Sequence, residues 1–307
     1  MRVISLVPSA TEIVAALGAF DTLVGVTHAC DFPAAVAGLP RVTSCDLDAS
    51  AGPGVIDTQM RALASEGRSL YTLDADLIRS LCPDLIITQA LCGVCAVMDT
   101  DVCALAARLD PAPGVVSLAA TNLDGVFDDI ALVARALTAE DEAEELLAGL
   151  RRRMRVVHDV LATAHAPRPR VVVLEWSEPS YAGGHWVPEQ VRRAGGADVL
   201  ARAGDHSKMV PLDVVVAAGA DIVLFAPCGH DLTRATEEAR RMRAQAGWGP
   251  LAGLPLWALD ANALTSRPGP RLVDGIEVMA RIFNPAVFSP LTPGHATRVD
   301  APAPAGG

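Results

Sequence analysis

Several residues of this 307-residue chain carry side chains that ligate soft or borderline metals: His28, Cys30, Cys45, Cys92, Cys95, His185, Cys228 and His230. Thiolates and imidazoles suit zinc, iron or copper(I), and either can serve as an axial ligand to a metal held in a macrocycle. Cys92-Gly93-Val94-Cys95 is a single Cys-x-x-Cys, a weak zinc signature without a second pair at a fitting spacing. The same four residues permit thiol redox chemistry if Ala96 to Asp99 opens a helix whose dipole lowers a thiol pKa. A nucleophilic cysteine with His185 as its base is a third option. Any one of these cysteines taken alone is more often a small buried hydrophobe, and Cys82 and Cys103, on helical stretches, are read as structural. The set expected to meet a metal is Cys30, Cys92, Cys95, His185 and Cys228. The set expected to meet a ligand is Pro8, Gln89, Cys92, His185, Trp186 and Arg267.

Trp176, Tyr181 and Trp186 crowd one stretch beside Gly183 and Gly184, which suits a flat or apolar ligand or packing under a loop. Ser266-Arg267-Pro268-Gly269-Pro270-Arg271 is a rigid turn into a helix. Arg267 is placed to hold a carboxylate or phosphate, while Arg271 is expected to pair with Asp274 or Glu277. The chain has no P-loop, no glycine-rich dinucleotide fingerprint and no nucleophile elbow.

The elements that must position these groups alternate between strand and helix. Arg2 to Val7, Leu23 to Val26, Leu85 to Ile87 and Val115 to Ser117 read as short strands, with helices between them. Ser9 and Glu12 have capping-box spacing, so Glu12 is expected to cap a helix. Asp74 is expected to cap another, over Ala75 to Leu81. From Asn122 to His165 strand signals vanish and apolar residues recur at helical spacing, giving one long or once-broken helix. Its Arg151 to Arg155 run is read as a solvated face with i,i+4 partners such as Glu145. Strands return at Arg170 to Glu175, Asp221 to Phe225 and Leu256 to Leu259, and a last helix covers Arg271 to Phe283. Cys82-Pro83-Asp84-Leu85-Ile86-Ile87 and Gly219-Ala220-Asp221-Ile222-Val223-Leu224 echo each other, each leading to a cysteine loop. Ligands of open α/β sheets gather at the carboxyl ends of strands, where Cys92, Cys30 and Cys228 fall.

With 51% hydrophobic residues the chain can bury a large core, and its length suits two domains. The formal charge of -11 excludes a nucleic-acid or anionic-membrane partner, since both need a basic face. No apolar run approaches a membrane span. No signal peptide is visible before the first strand, so the expectation is a cytoplasmic chain whose seven cysteines are thiols or ligands.

Arg2-Val3-Ile4-Ser5-Leu6-Val7-Pro8-Ser9-Ala10-Thr11-Glu12, Val24-Gly25-Val26, Cys30-Asp31-Phe32-Pro33 and Leu81-Cys82-Pro83-Asp84-Leu85-Ile86-Ile87 resemble the cobalamin and iron-siderophore periplasmic binding proteins of ABC importers. The resemblance runs from Arg2 to about Phe283. It implies an α/β fold of two Rossmann-like lobes joined by a long interlobal helix, with the ligand held between them. The expected domains are residues 1–121, a connecting helix over 122–166, residues 167–283, and a disordered Pro/Ala/Gly tail over 284–307. The resemblance also implies an ABC permease partner docked through a glutamate on each lobe; here those positions fall at Asp76 and at Leu212, beside Asp213. Positions that are aromatic in cobalamin-binding relatives fall near Ala29, Cys45 and Gln89, which suits a cytoplasmic-looking subset of the family. The resulting expectation is a non-enzymatic protein that binds cobalamin or a related corrinoid. The alternatives are an iron or zinc ion, cluster or iron chelate held by Cys and His, and a thiol-dependent enzyme.

Overall fold

The computed structural model describes residues 1–45, 47, 51–65, 70–90 and 99–300. The described chain forms two α/β units, one of Met1–Ala120 with Asp124–Gly149 and one of Thr121–Leu123 with the chain from Leu150 onward.

The first unit runs β1 (Val3–Ser5), α1 (Pro8–Ala16), β2 (Leu23–Val26), β3 (Thr43–Cys45), α2 (Pro53–Ser65), β4 (Tyr71–Leu73), α3 (Ala75–Ser80), β5 (Leu85–Gln89), α4 (Asp99–Ala106) and β6 (Gly114–Leu118). A fully parallel sheet has the order β2-β1-β5-β6, and β3 and β4 pair antiparallel as a separate ribbon. All residues of β5 are buried, as a strand with neighbours on both edges and helices on both faces must be. Ile4, Ile86, Ile78 and Val102 pack together in the core of this unit. The start of β1 is held by Arg2: its backbone N–H donates to Asp84 Oδ2 at 2.7 Å and its Nε to Leu81 O at 2.7 Å. That contact sets β1 against β5 and occupies a carbonyl at the end of α3.

Two of the expected caps part company here. Asp74 accepts from Leu77 N at 2.9 Å and caps α3. Glu12 does not take the expected capping-box position: α1 begins at Pro8, two residues earlier than a Ser9 cap would start it, with Val7 as its N-cap and no side-chain cap. Proline supplies the start because its fixed φ suits the first helical position and its missing N–H is not needed there. Glu12 therefore lies inside the helix and is buried. Cys82 and Cys103, expected as structural, are exposed, and Cys82 takes φ 43° just beyond α3.

The strand-free stretch is a helix broken once, into α5 (Leu123–Leu137) and α6 (Glu140–Thr163), with Thr138 at φ 54° between them. The Arg run does not act only through i,i+4 pairs. Within the second unit Arg153 reaches α11 (Leu272–Phe283), with Nε 2.8 Å from Glu277 and Nη2 2.5 Å from Asp274, the acids expected for Arg271.

The second unit continues with β7 (Arg170–Ser177), β8 (Ser180–Ala182), α7 (Val187–Arg193), β9 (Ala197–Asp198), β10 (Lys208–Met209), α8 (Leu212–Ala217), β11 (Ile222–Phe225), α9 (Leu232–Ala244), β12 (Leu256–Leu259) and α10 (Ala261–Leu264) before α11. After it, β13 (Ala296–Val299) lies antiparallel to β12, so this part of the expected disordered tail is an edge strand. Alternating Ala296-Thr297-Arg298-Val299 buries Val299 and sends Arg298 outward. The sheet order is β10-β8-β7-β11-β12-β13, with β9 on β7 and a parallel centre of β7, β11 and β12. Arg170 repeats the device of Arg2: its N–H donates to Asp221 Oδ2, its Nε to Gly219 O and its Nη2 to Ala218 O, each at 2.7 Å.

Helix α11 packs on α7 and α10 with little room. A Cβ on Gly275 would stand 2.3 Å from Leu264 O and 2.7 Å from Gln190 Nε2, whose amide donates to Leu264 O and Leu272 O. We expect Gly275→Ala to destabilise the second unit by about 2 kcal/mol. Urea melts of the two chains check this, and an unchanged midpoint would show that α11 yields at no cost.

Candidate functional site

Polar side chains collect at the carboxyl ends of the parallel strands in each unit. In the first unit β1 ends at Ser5, whose Oγ accepts from Thr11 Oγ1 at 2.8 Å. The same Thr11 hydroxyl lies 3.0 Å from the thiol of Cys30, which is buried in the turn after β2. Arg41 Nη1 donates to the carbonyls of Thr27 and Cys30, at 3.1 and 2.9 Å, and fixes that turn. Gln89, the last residue of β5, is buried opposite Leu118. Pro8 is the first residue of α1 and half-buried. Cys92 and Cys95 lie outside the described residues.

The exposed group at this edge is His28. Its backbone N–H donates to Thr43 Oγ1 at 3.0 Å, its Nδ1 lies 2.8 Å from the same hydroxyl, and Thr27 Oγ1 is 2.8 Å from Thr43 Oγ1. The ring tilts against Tyr71 with centroids 5.6 Å apart. Partial burial, then the Arg41 charge, hold the imidazole below its ordinary pKa, so it is neutral at pH 7. If Nδ1 carries the proton and donates to Thr43, Nε2 presents a lone pair, and no described side chain engages it.

In the second unit the stretch expected as one loop, Trp176 to Pro188, is a hairpin followed by a turn. Trp176 pairs with Tyr181 and Leu174 with Ala182, so Glu175 is the extra residue of a β-bulge. A bulge re-aims its side chain, and Glu175 turns to Gly184 N at 3.3 Å and Ser207 Oγ at 2.5 Å. Burial pushes this carboxyl up to about 7; the Ser207 and Gly184 hydrogen bonds oppose the shift and Asp198 adds to it. Trp186 is buried, with its indole N–H donating to Thr265 O at 2.7 Å, so its ring is packed under the turn. His185 is half-exposed at φ 53°, and its Nε2 lies 3.1 Å from His206 Nδ1.

Cys228 is exposed in the turn after β11, and its N–H donates to Glu175 O at 3.2 Å. His230 beneath it is buried, with Nδ1 3.2 Å from Cys228 O and Nε2 2.9 Å from Glu238 Oε2. Ser177 Oγ donates to the other oxygen of Glu238 at 2.5 Å. Burial alone would raise the Glu238 carboxyl, but the His230 and Ser177 bonds outweigh it and keep it below its usual range. His230 is thus a support for the Cys228 turn. Arg267 is buried in the turn before α11.

Among the described residues no three His, Cys, Asp or Glu side chains converge as a metal site. Cys30 is engaged with Thr11, and His185 with His206. Sequence reasoning missed Glu175, Thr43 and His206. A bulge and a contact 21 residues along the chain leave no mark in composition or periodicity.

A family profile described as periplasmic binding protein matches residues 3–251. No curated protein matches the sequence. Among solved structures, a periplasmic heme binding protein from Pseudomonas aeruginosa is similar at 23% identity and a TM-score of 0.72, over 98% of this chain and 99% of that one. The periplasmic heme-binding protein RhuT from Roseiflexus follows at 22% identity and 0.66, over 94% and 99%. The periplasmic vitamin B12 binding protein BtuF of Vibrio cholerae is similar at 23% and 0.61, over 92% and 96%. These likenesses bear on the fold, and they match its two parallel-sheet units.

The raised Glu175 pKa has a consequence for stability. Between its ordinary value of 4.5 and about 7 the folded state holds a proton that the unfolded state has lost. Stability therefore falls as pH rises through that window and the loss is complete above it. The loss is on the order of 3 kcal/mol. Urea melts at pH 5 and pH 8 should show a smaller fall for Glu175→Gln than for the parent chain; equal falls would refute the burial of this carboxyl.

Proposed function

The chain belongs to the periplasmic binding protein family, whose members bind solutes and do not transform them, and from that premise we propose that its ligand is a metal-bearing macrocycle of the corrinoid or heme class. The observation that carries this reading is His28. A neutral imidazole stands exposed at the carboxyl end of a parallel strand, with its backbone N–H and Nδ1 both set against one threonine hydroxyl. Ligating histidines are characteristically oriented through their second nitrogen in this way. Nε2 is then the atom offered to an axial position on cobalt or iron. Of the similar structures, two are heme-binding proteins and a third binds vitamin B12, which supports the same class.

The partner in this reading is an ABC permease. Asp76, on the first turn of α3, has 94% of its side chain exposed, and Asp213 is exposed on the first turn of α8. Among the described residues no helix is long and apolar enough to cross a membrane.

Gel filtration of the purified chain with hemin or hydroxocobalamin tests the ligand class. One of the two should co-elute at one per chain and stabilise the fold by about 2.7 kcal/mol when free ligand is 100 times Kd. His28→Ala should shift the absorbance of the bound macrocycle. If neither compound co-elutes, the reading falls. Loading of iron or zinc alone, lost in Cys228→Ser, would favour thiol ligation instead. Retention with a spectrum indifferent to His28→Ala would keep the class and remove the axial role.

A further inference from the structure

His185 sits in a left-handed backbone conformation that is unfavourable for a non-glycine residue and persists only where its surroundings enforce it. The enforcement is visible. Its N–H donates to Asp205 O at 2.6 Å and its carbonyl accepts from Gly204 N at 2.9 Å. Beside it, Gly184 lies so close to the same segment that a Cβ would stand 2.3 Å from Ser207 N. Ser207 is in turn tied to Glu175 of the bulge. A segment more than a turn of chain away is thus fastened to His185 on both sides, and the result is to place two imidazole nitrogens, His185 Nε2 and His206 Nδ1, 3.1 Å apart with the rings at 87°.

That separation admits two chemistries. A proton between the nitrogens makes a hydrogen bond, as in the neutral pair. An ion can replace it: with metal–nitrogen bonds of about 2.0–2.1 Å, two adjacent ligands on one ion stand about 2.9–3.4 Å apart. No net proton need leave, because the donor ring moves its proton to its outer nitrogen. The outer nitrogens, His185 Nδ1 and His206 Nε2, meet no described side chain, so that tautomer is open to both rings. His206 is exposed and His185 half-exposed, which gives an ion access from solvent. Two imidazoles suit borderline divalent ions such as zinc, nickel, copper or cobalt, and not calcium or magnesium, which take oxygen.

We propose that His185 and His206 form a binding site for one divalent transition-metal ion, with water completing the coordination. The site goes beyond the macrocycle reading and does not rest on it: the ligands are neither His28 nor a cysteine. It also gives His185 a histidine partner in place of the cysteines expected from the sequence.

Cobalt(II) is the probe, because its spectrum separates nitrogen from sulfur ligation. Equilibrium dialysis of the full chain against Co2+ alone should retain one equivalent without thiolate-to-metal charge-transfer bands. His206→Gln and His185→Gln should each weaken retention about tenfold or more. His158→Gln, which alters an exposed histidine paired with Asp159, should leave it unchanged. His206 is exposed, and an unchanged melting temperature for its variant would confirm that the fold is kept. Copper(II) bound to the parent chain should show electron-spin coupling to two imidazole nitrogens. Charge-transfer bands, retention indifferent to His206→Gln, or no retained cobalt would each overturn the proposal.

Discussion

One contact is made twice in this molecule: an arginine at the start of a unit's first strand, bound to an aspartate and to the carbonyls ending the preceding helix. Arg2 does it with Asp84 and Leu81, and Arg170 with Asp221, Gly219 and Ala218. The aspartate N–H returns a bond to the arginine carbonyl at 2.8 Å in both cases. These groups are exposed, so each hydrogen bond adds little by itself. Their weight lies in register. A parallel pair slipped by one residue turns every side chain to the opposite face, and here one end of β1 and of β7 is fixed against its neighbour. The other end then follows, with Ser5 and Glu175 delivered where the polar clusters form.

What those carboxyl ends must solve is the satisfaction of groups removed from water. The first unit does it with hydroxyls: Ser5, Thr11, Thr27 and Thr43 form short chains that take in Cys30 and His28. The second does it with carboxylates, Glu175 held by Ser207 and Gly184, and Glu238 by His230 and Ser177. Hydroxyl chains keep the environment neutral. The carboxylate clusters behave differently from each other: at Glu238 the two donors, one of them His230, outweigh burial, while at Glu175 the two donors do not and Asp198 adds to the rise.

Much of the fold was legible because parallel strands announce themselves. Leu85-Ile86-Ile87 and Ile222-Val223-Leu224 are short apolar runs introduced by Asp, and both are central strands flanked by the predicted helices. The echo between Asp84 and Asp221 reported a real structural repeat. Errors arose where another local signal or a tertiary contact outvoted the one that was read. Ser9 and Glu12 have capping-box spacing, yet Pro8 starts the helix and takes both residues inside. Alanine, proline and glycine after Asn284 read as structureless, yet Val299 finds a buried place beside Leu256. For the site, sequence located the turns carrying Cys30, His185 and Cys228, since these follow strands. It did not find what each touches: Thr11, His206 and the Glu175 carbonyl lie 19, 21 and 53 residues away along the chain, a separation that no spacing rule spans.

The distinction between supporting and offered imidazoles follows from counting nitrogens. His230 has both ring nitrogens within reach of protein oxygen and is buried, so it fastens a turn and has nothing left to give. His28 has one nitrogen committed to Thr43 and an exposed ring. His185 and His206 commit one nitrogen each to the other. A buried imidazole must satisfy both nitrogens or lose stability. An exposed one can leave a nitrogen to water at little cost, and water is what a metal or ligand displaces. Residue type alone treats His28, His185 and His230 as equivalent members of one soft-ligand set and passes over His206. Burial and partner count separate them into a histidine whose nitrogens are consumed by the fold and histidines that keep a nitrogen oriented by it.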